Sequence, residues 1–440
     1  MTNRYLTGNY APVDRELTES DLPVKGHIPR ELEGRYLRNG PNPVEAPEPS
    51  THHWFTGDGM VHGVRLRDGR AEWYRNRWVR SAQVAAALGE PIRPGPVHAE
   101  MDFAANTNVI GHAGRTLALV EAGPRPYELS YDLETIGPSD FDGSLDGGYS
   151  AHPKRDPVSG ELHALSYFWG WGDRVRYTVT VTDGRVRRAV DVEVGGPVSI
   201  HDLSLTERYA VIYDLPVVFD MGAAAAGAAF PYRWDASYEA RVGLLPRDGA
   251  GSDVRWFEIE PCYVFHALNA YDDGEEVVLD VVRHRRMFDT NVLGSDEGRP
   301  TLERWRVNIP AGKVIEERLD DRGQEFPRVD ERVVGRPYRY GYTAAFVDEG
   351  NALIKHDLAS GTSEIRRLPG NDGGSEAVFV PRVEDSAEDD GWMLSIVYDP
   401  VRDASDLLVL NAADFTGEPA AVVELPQRVP YGFHGNWIPD

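Results

Sequence analysis

Alternating apolar and polar positions recur along this chain and predict β-strands over most of its length. Runs rich in β-branched and aromatic residues occur at 60–79, 115–123, 176–195, 208–219, 275–284, 392–400 and 405–412. Their period of two is that of a strand with one buried face. Asp-Gly pairs at 68–69 and 183–184 stand between such segments and predict tight hairpins.

Helical patterns are rare, which favours an all-β fold. The best helix candidate is 81–89, SAQVAAALG, with Gly89 as its terminator. The 44 glycines and 31 prolines lie between the strand-like runs and form no linker. We therefore expect a single domain over 1–440. A β-propeller is the favoured architecture because radial repetition of sheets leaves few exposed strand edges. No repeat motif gives the number of blades.

The charge balance and the single cysteine narrow the classes of function. A net charge of −25 and the absence of a dense basic patch disfavour nucleic-acid binding. Cys262 has no partner for a disulfide, so we expect a reducing, cytoplasmic location and a packing role for this residue. The longest apolar stretch, 221–230, is too short to span a bilayer. At most a transient membrane contact is expected.

Four histidines in short, similar contexts are the candidate chemistry: His152 in AHP, His201 in IHD, His266 in FHA and His434 in FHGN. No single helix or loop can present residues so far apart, so only the fold can bring them together. Four neutral imidazoles suit a redox metal that keeps open positions for other ligands.

Other histidines show why spacing alone is a weak guide to such a site. The chain has 13 histidines, and a histidine in a strand is more often a hydrogen-bonded structural residue than a metal ligand. His52 and His53 are an alternative two-histidine patch. His356, in IKHDLASG, has a similar context, but its position predicts a surface hairpin.

The segments around the histidines resemble the carotenoid cleavage oxygenase family of non-haem iron enzymes, in order and nearly end to end. The matching segments are IPRELEGRYLRNGPNP (28–43), HWFTGDGMVHGVRL (53–66), NTNVI (106–110), LALVEAG (117–123), AHPKRDPVSGELHALSY (151–167), SIHDLSLTERYAVIYDLPVVF (199–219), ARVGLLPR (240–247), FHALNAYDDG (265–274), EFPRVDERVVGRPYRYGY (325–342), EAVFVPR (376–382) and FHGNW (433–437).

The resemblance implies a seven-bladed propeller in which loops and short helices cap an iron site. It implies Fe(2+) ligands at His152, His201, His266 and His434. In the family, three glutamates accept the remaining ring N–H of ligand imidazoles, which fixes the tautomer and the ring angle. These fall on Glu121, Glu325 and Glu376. Apolar neighbours of the three glutamates predict that they are buried.

The implied activity is oxidative cleavage of a conjugated C=C bond by O2, giving two carbonyl compounds. The implied substrate is an apolar, extended small molecule, either a carotenoid or apocarotenoid or a hydroxylated stilbene. Stilbene cleavers carry a phenol-binding lysine just before the first outer glutamate, and here that position is Val120. This difference favours a carotenoid or apocarotenoid.

Several alternatives stay open. A non-catalytic propeller that binds a ligand is one. A calcium-dependent hydrolase is another, although calcium prefers clustered oxygen ligands and the sequence shows no nucleophile or paired carboxylates near the histidines. An isomerase is a third, because one branch of the family rearranges retinoid esters.

Aromatic residues near the matched segments are candidates for a substrate tunnel or for simple core packing: Phe55, Trp169, Trp171, Tyr338, Tyr340 and Phe433. The segment 221–232, MGAAAAGAAFPY, is read either as an apolar rim for substrate entry or, preferentially, as a buried loop or helix.

Overall fold

Almost all regular structure in the chain is β-strand. The computed structural model describes every residue except 1–2, 296, 348–349 and 371–374. Within these described residues the strands are β1 Thr18–Ser20, β2 Val24–Gly26, β3 Gly34–Pro41, β4 Gly59–Arg67, β5 Arg70–Trp78, β6 Asn108–His112, β7 Arg115–Leu119, β8 Tyr127–Leu129, β9 Thr135–Pro138, β10 Lys154–Arg155, β11 Leu162–Tyr167, β12 Arg174–Thr180, β13 Val186–Glu193, β14 Leu203–Leu205, β15 Tyr209–Asp214, β16 Val217–Phe219, β17 Tyr232–Trp234, β18 Arg241–Pro246, β19 Arg255–Glu258, β20 Tyr263–Asp273, β21 Glu276–His284, β22 Thr301–Asn308, β23 Lys313–Asp320, β24 Gln324–Arg328, β25 Tyr340–Val347, β26 Gly350–Asp357, β27 Thr362–Arg367, β28 Val378–Pro381, β29 Gly391–Asp399, β30 Ala404–Asn411, β31 Ala421–Glu424 and β32 Gly435–Pro439.

The helices of this described part are short. The α-helices are α1 Ala82–Leu88 and α2 Met221–Ala225, and one-turn 3₁₀ helices lie at Arg4–Leu6, Gly8–Tyr10, Trp54–Thr56, Trp169–Trp171, Gly251–Asp253, Glu331–Val333 and Ala412–Asp414. Helix α1 matches the predicted helix. The Ser81 side chain caps its N-terminus, and Gly89 ends it in the left-handed conformation at φ +69°.

All of these strands except β16 and β17 form the seven blades of a β-propeller, which confirms the expected fold class, and β16 and β17 pair with each other outside the blades. We number the blades I to VII. Their strand orders are β32-β3-β4-β5-β1 (I), β6-β7-β8-β9 (II), β10-β11-β12-β13 (III), β14-β15-β18-β19 (IV), β20-β21-β22-β23 (V), β24-β25-β26-β27 (VI) and β28-β29-β30-β31-β2 (VII). The first strand of each order is the inner one, nearest the axis. Inner strands of successive blades contact each other, for example β14 with β20 and β20 with β24.

Both ends of the chain close the circle. The C-terminal strand β32 pairs with β3, so that Arg38 lies opposite Gly435 and the innermost strand of blade I comes from the other end of the sequence. The N-terminal strand β2 pairs with β31 at the outer edge of blade VII. The pairing of β32 with β3 places His434, just before β32, at the centre of the molecule.

Burial along the strands follows their place in a blade. In β21, in the middle of blade V, most side chains are buried on both faces because the neighbouring blades cover them. In β23, the outer strand of the same blade, half-buried and exposed residues alternate. Radial packing therefore explains why some runs are continuously apolar and others alternate.

The two predicted hairpins are present. Asp68 and Gly69 both have positive φ, +51° and +72°, and join β4 to β5. Gly184 has φ +88°, and its N–H donates to the Val181 carbonyl in the turn between β12 and β13.

Two structural expectations from the sequence are wrong. No residue of α2 is buried, and Met221 is 64% exposed, so segment 221–232 begins as an exposed apolar turn of helix. His356 is buried in β26, where its Nε2 lies 2.8 Å from Gln324 Oε1. Both errors have the same cause, because local pattern does not show what packs over a segment. Among the described residues, no helix has the length and apolarity needed to cross a membrane.

Candidate metal centre

His152, His201, His266 and His434 meet on the propeller axis. One ring nitrogen of each lies within 4.8 Å of those of the other three, and all four side chains are buried. The Nε2 atoms of His201 and His266 are 3.2 Å apart, and those of His266 and His434 are 3.1 Å apart. The fold therefore does what no local segment can do and aims four imidazoles at one point.

Three glutamates accept the outer ring N–H of three of these histidines. His201 Nδ1 donates to Glu121 at 2.8 Å. His266 Nδ1 donates to Glu325 at 2.6 Å, and His434 Nδ1 donates to Glu376 at 2.9 Å. Each glutamate singled out from the sequence is thus hydrogen-bonded to one of the four histidines. Glu325 and Glu376 are buried as expected, whereas Glu121 is half-buried.

Each blade contributes one of these seven residues. Glu121 follows β7 of blade II, His152 precedes β10 of blade III, His201 precedes β14 of blade IV, His266 lies in β20 of blade V, Glu325 lies in β24 of blade VI, Glu376 precedes β28 of blade VII and His434 precedes β32 of blade I. Six of them lie in or beside an inner strand, and Glu121 alone follows a second strand. The wide sequence spacing of the histidines is thus the spacing between blades.

The arrangement of nitrogen atoms fits a bound cation. With Nδ1–H of His201, His266 and His434 committed to carboxylates, each Nε2 carries a lone pair directed at the shared centre. The Nε2 atom of His152 is also buried and has no hydrogen-bond partner among the described residues. Converging lone pairs repel each other unless a positive charge lies between them. Two nitrogens held about 2.1 Å from a metal ion at right angles lie about 3.0 Å apart, close to the distances found here.

The electrostatics of the centre keep two of the histidines neutral. Burial lowers the pKa of His152 well below its usual value, and the adjacent His201 and His434 lower it further. Burial also lowers the pKa of His434, to about 4, although Glu376 opposes this shift. For His201, burial again favours the neutral ring, but Glu121 outweighs it and raises the pKa.

Two of the three glutamates, Glu325 and Glu376, are in contrast held ionised. Burial alone would raise the pKa of Glu376, but the Arg328 guanidinium and His434 lower it to about 2. Burial opposes ionisation of Glu325 too, and His266 and His284 overcome it, so its pKa lies well below the usual value. Buried carboxylates that stay charged can fix imidazole tautomers at neutral pH.

The three glutamates form an outer layer around the histidines. Two further residues belong to this layer, and the sequence analysis did not identify either of them. His284 Nε2 donates to Glu325 Oε1 at 2.8 Å, so Glu325 bridges two imidazoles. Arg328 Nη1 donates to Glu376 Oε1 at 3.2 Å. Arg328 lies within a matched segment but carried no motif of its own. His284 ends a strand-like run, and nothing in its local sequence separates it from a structural histidine.

An apolar cavity of about 600 Å³ opens onto one side of the centre. His201, His266 and His434 line it, and its walls are largely aromatic, with Trp54, Phe55, Phe103, Phe219, Phe230, Phe265, Phe326 and Phe433 among the lining residues. Of the aromatic candidates from the sequence, Phe55, Trp169 and Phe433 line this cavity. The others lie elsewhere: Trp171 packs against Phe168, Tyr338 donates to Asp280 and Tyr340 lies under Lys355.

The mouth of the cavity carries exposed apolar side chains. Trp169 is 41% exposed, stacks on Phe219 and lines the cavity together with Ala224 of α2. Val120, in contrast, is 5% exposed and lies in the inner wall beside Glu121. The cavity therefore leads from an apolar surface to the histidine cluster.

A second cavity of about 660 Å³, more polar than the first, reaches the centre from the opposite side. His152, His266 and His434 line it, together with charged residues such as Lys154 and Asp202, which form an ion pair at 2.8 Å. Among the described residues that line these two cavities, His152 belongs to this one and His201 to the apolar one. The centre thus separates an apolar compartment from a more polar one.

Comparison with known proteins gives consistent matches over the whole chain. The family model described as retinal pigment epithelial membrane protein matches residues 10–439. A carotenoid cleavage oxygenase from Mycobacterium tuberculosis is 50% identical, covering 99% of this chain and 98% of that protein. Carotenoid 9,10(9',10')-cleavage dioxygenase 1 from Phaseolus vulgaris is 33% identical, covering 100% and 90%.

Solved structures of two proteins resemble this chain over nearly its whole length. Cobalt-substituted apocarotenoid oxygenase from Synechocystis superimposes with a TM-score of 0.87 at 29% identity, covering 98% of this chain and 97% of that one. Lignostilbene dioxygenase from Pseudomonas brassicacearum gives the same TM-score of 0.87 at 27% identity, covering 100% of both chains.

Proposed function

Since the chain belongs to the carotenoid cleavage oxygenase family, we infer that it is a non-haem iron dioxygenase that cleaves a carbon–carbon double bond. Both atoms of O2 enter the products, and the alkene becomes two carbonyl compounds. The observation that carries this function is the buried cluster of four imidazoles at the end of an apolar cavity.

We propose ferrous iron as the metal, held by His152, His201, His266 and His434. Bound iron(II) would supply the activation of dioxygen at this cluster of four neutral imidazoles. An all-imidazole donor set is a poor match for calcium, which prefers oxygen ligands. The cobalt-substituted Synechocystis relative is consistent with a divalent transition metal at this type of site.

The chain itself holds, orients and shields the reactants. Glu121, Glu325 and Glu376 fix the imidazole tautomers so that each Nε2 faces the centre. The aromatic walls bind a conjugated chain by apolar contact and exclude water. The position of the alkene relative to the histidine cluster decides which double bond is cleaved.

A carotenoid or apocarotenoid is the favoured substrate. Val120 is apolar, lies in the cavity wall and offers no ammonium group to a phenol. The runner-up is a stilbenoid of the lignostilbene or resveratrol type, because the lignostilbene dioxygenase is as similar in structure as the apocarotenoid oxygenase. The exposed Trp169 and Met221 near the mouth suit transient contact with a lipid surface from which such a substrate is taken. The single, free cysteine fits a cytoplasmic location.

Metal analysis tests the centre. We expect about one iron per chain in the purified protein, and we expect iron and activity to be lost together in His201→Ala. His356→Ala is a matched control, because His356 is equally buried but hydrogen-bonds to Gln324 and not to the centre. Stable protein without any transition metal would instead support a binding module.

Product analysis tests the reaction. Iron-loaded protein is incubated with a full-length carotenoid, an apocarotenal and a hydroxystilbene under ¹⁸O2, and the aldehydes are identified by mass spectrometry. We expect labelled carbonyl oxygen in both products and no turnover without oxygen. Cleavage that persists anaerobically contradicts the dioxygenase, and turnover of the stilbene alone contradicts the substrate assignment.

A further inference from the structure

The wall of the apolar cavity contains polar atoms for which the described part of the chain offers no hydrogen-bond partner. Tyr232, in β17, is 6% exposed and lines the cavity, yet its buried hydroxyl makes no hydrogen bond to any described residue. Glu121 also lines the cavity. Its Oε1 accepts from His201, whereas its buried Oε2 has no partner within the described ranges of the chain. A buried polar group without a partner is destabilising, so such atoms point to a missing ligand or water.

A second phenol lies beside the first. The rings of Tyr167 and Tyr232 are 6.1 Å apart between centroids, and Tyr167 also lines the cavity. The Tyr167 hydroxyl oxygen accepts a hydrogen bond from Ser199 Oγ at 3.3 Å. Among the described residues its own proton has no acceptor. Two O–H donors therefore lie unused on the same stretch of wall.

The two tyrosines lie between the mouth of the cavity and its inner end. Tyr232 packs against Phe219, which stacks on the exposed Trp169 at the mouth. On the inner side, burial raises the pKa of both tyrosines and the Glu121 carboxylate raises it further, so both hydroxyls stay protonated and the charge of Glu121 reaches them. The pair thus stands between the entrance and the His201 side of the centre.

We propose that Tyr232 and Tyr167, with the free oxygen of Glu121, form a polar subsite that binds an oxygen-bearing group of the substrate. This inference rests on the proposed function and narrows it to an oxygenated polyene, carrying a hydroxyl or a carbonyl, in preference to a pure hydrocarbon. The tyrosines donate to the substrate oxygen, and a substrate hydroxyl can in addition donate to Glu121 Oε2. A hydrocarbon placed there leaves all three groups unsatisfied, which costs affinity.

The test compares substrates that share one polyene and differ at the end group: unsubstituted, hydroxylated or ending in an aldehyde. We expect wild-type protein to favour the oxygenated forms in kcat/KM. Tyr232→Phe should lower kcat/KM for them by about fivefold to tenfold, the value of one hydrogen bond between neutral groups, and leave the hydrocarbon unchanged or improved. A larger loss for the hydroxylated than for the aldehyde substrate identifies the hydroxyl as the group bound.

Tyr263→Phe is the matched control. Tyr263 is also a buried phenol, but its hydroxyl donates to the Ser199 carbonyl and it is not among the residues that line the cavity. We expect Tyr263→Phe to lower the melting temperature and to leave the preference among end groups as it is. Tyr232→Phe should keep or raise the melting temperature of the free protein, because it removes an unsatisfied group.

The outcomes separate the subsite from the reaction. Binding of the three ligands is measured without oxygen, by quenching of protein fluorescence. This measurement tests the subsite even if the protein cleaves none of the polyenes. Absence of cleavage would contradict the proposed function and would leave the subsite to be decided by binding. If Tyr232→Phe weakens all three ligands equally, or changes none of them, the hydroxyl serves folding or holds only a water, and the subsite is wrong.

Discussion

Replacing Glu325 with glutamine removes one charge from the outer layer and leaves the shape of the side chain nearly unchanged. In the protein the two oxygens of Glu325 accept from His266 Nδ1 at 2.6 Å and from His284 Nε2 at 2.8 Å. A glutamine has one acceptor oxygen. Its NH2 group must face the N–H of the other imidazole, and two donors then oppose each other in a buried site.

The size of the effect follows from this geometry. If the amide oxygen turns to His284, His266 loses the acceptor that fixes its tautomer, and a proton on Nε2 of His266 would block its lone pair. Loss of such an outer hydrogen bond typically lowers metal affinity 10- to 100-fold, or about 1.4 to 2.7 kcal/mol. We therefore expect Glu325→Gln to fold, to bind iron 10- to 100-fold more weakly and to lose activity to a similar extent.

The assay is iron retention against a graded chelator, followed by turnover at saturating iron. Glu303→Gln is the matched control, because Glu303 is also buried but has Thr301 and Trp305 Nε1 as its hydrogen-bond partners. We expect this control to keep wild-type iron affinity. Wild-type iron affinity and turnover in Glu325→Gln would show that the bridging carboxylate does not orient His266.

Two other predictions concern the body of the propeller. His62 and His163 are buried away from the centre, and burial lowers the pKa of each to about 3. Because these folded-state pKa values lie below the usual 6.5, the native protein takes up fewer protons, so stability is full above about pH 6.5 and falls as the pH drops towards 3. Urea unfolding between pH 7.5 and 4.5 should show this loss of stability. The free energy of unfolding of His163→Gln should fall less steeply with decreasing pH than that of the wild type. A free energy of unfolding that does not change with pH contradicts this prediction. Burial also raises the pKa of the Cys262 thiol to about 12, so a disulfide reagent should label native protein very slowly and label one thiol per chain after unfolding, whereas rapid labelling of the native protein would contradict the packing role.

Local sequence predicted the elements well because their signals are local. The Asp68–Gly69 and Asp183–Gly184 turns depend on positive φ at one or two residues, and α1 depends on Ser81 and Gly89 at its ends. The expected burial of segment 221–232 and the expected exposure of His356 were wrong because burial depends on residues that are distant in sequence. The apolar composition of α2 gives no sign that this helix stays uncovered, and His356 is covered by residues such as Gln324 and Thr343.

Some residues of the candidate site could be assigned from the sequence, and others became evident only in the fold. The four histidines and three glutamates were assigned through the resemblance of whole segments, since spacing alone does not separate them from the other histidines and acidic residues. Nothing in the sequence suggested that His284 shares Glu325 or that Arg328 neutralises Glu376. The orphan hydroxyl of Tyr232 was equally invisible, because an unsatisfied group is defined by what is absent around it.

The sequence by itself determined that this is an all-β chain with tight hairpins, one short helix and a set of residues suited to a redox metal. These properties depend on backbone preference and on the chemistry of single side chains. Only the tertiary structure decided that the seven residues of the centre come one from each blade, that one side of the centre is apolar and the other more polar, and which polar atoms lack partners. The physical reason is ring closure: pairing β32 with β3 fixes the inner strands around one axis, and convergence on that axis is a property of the whole circle.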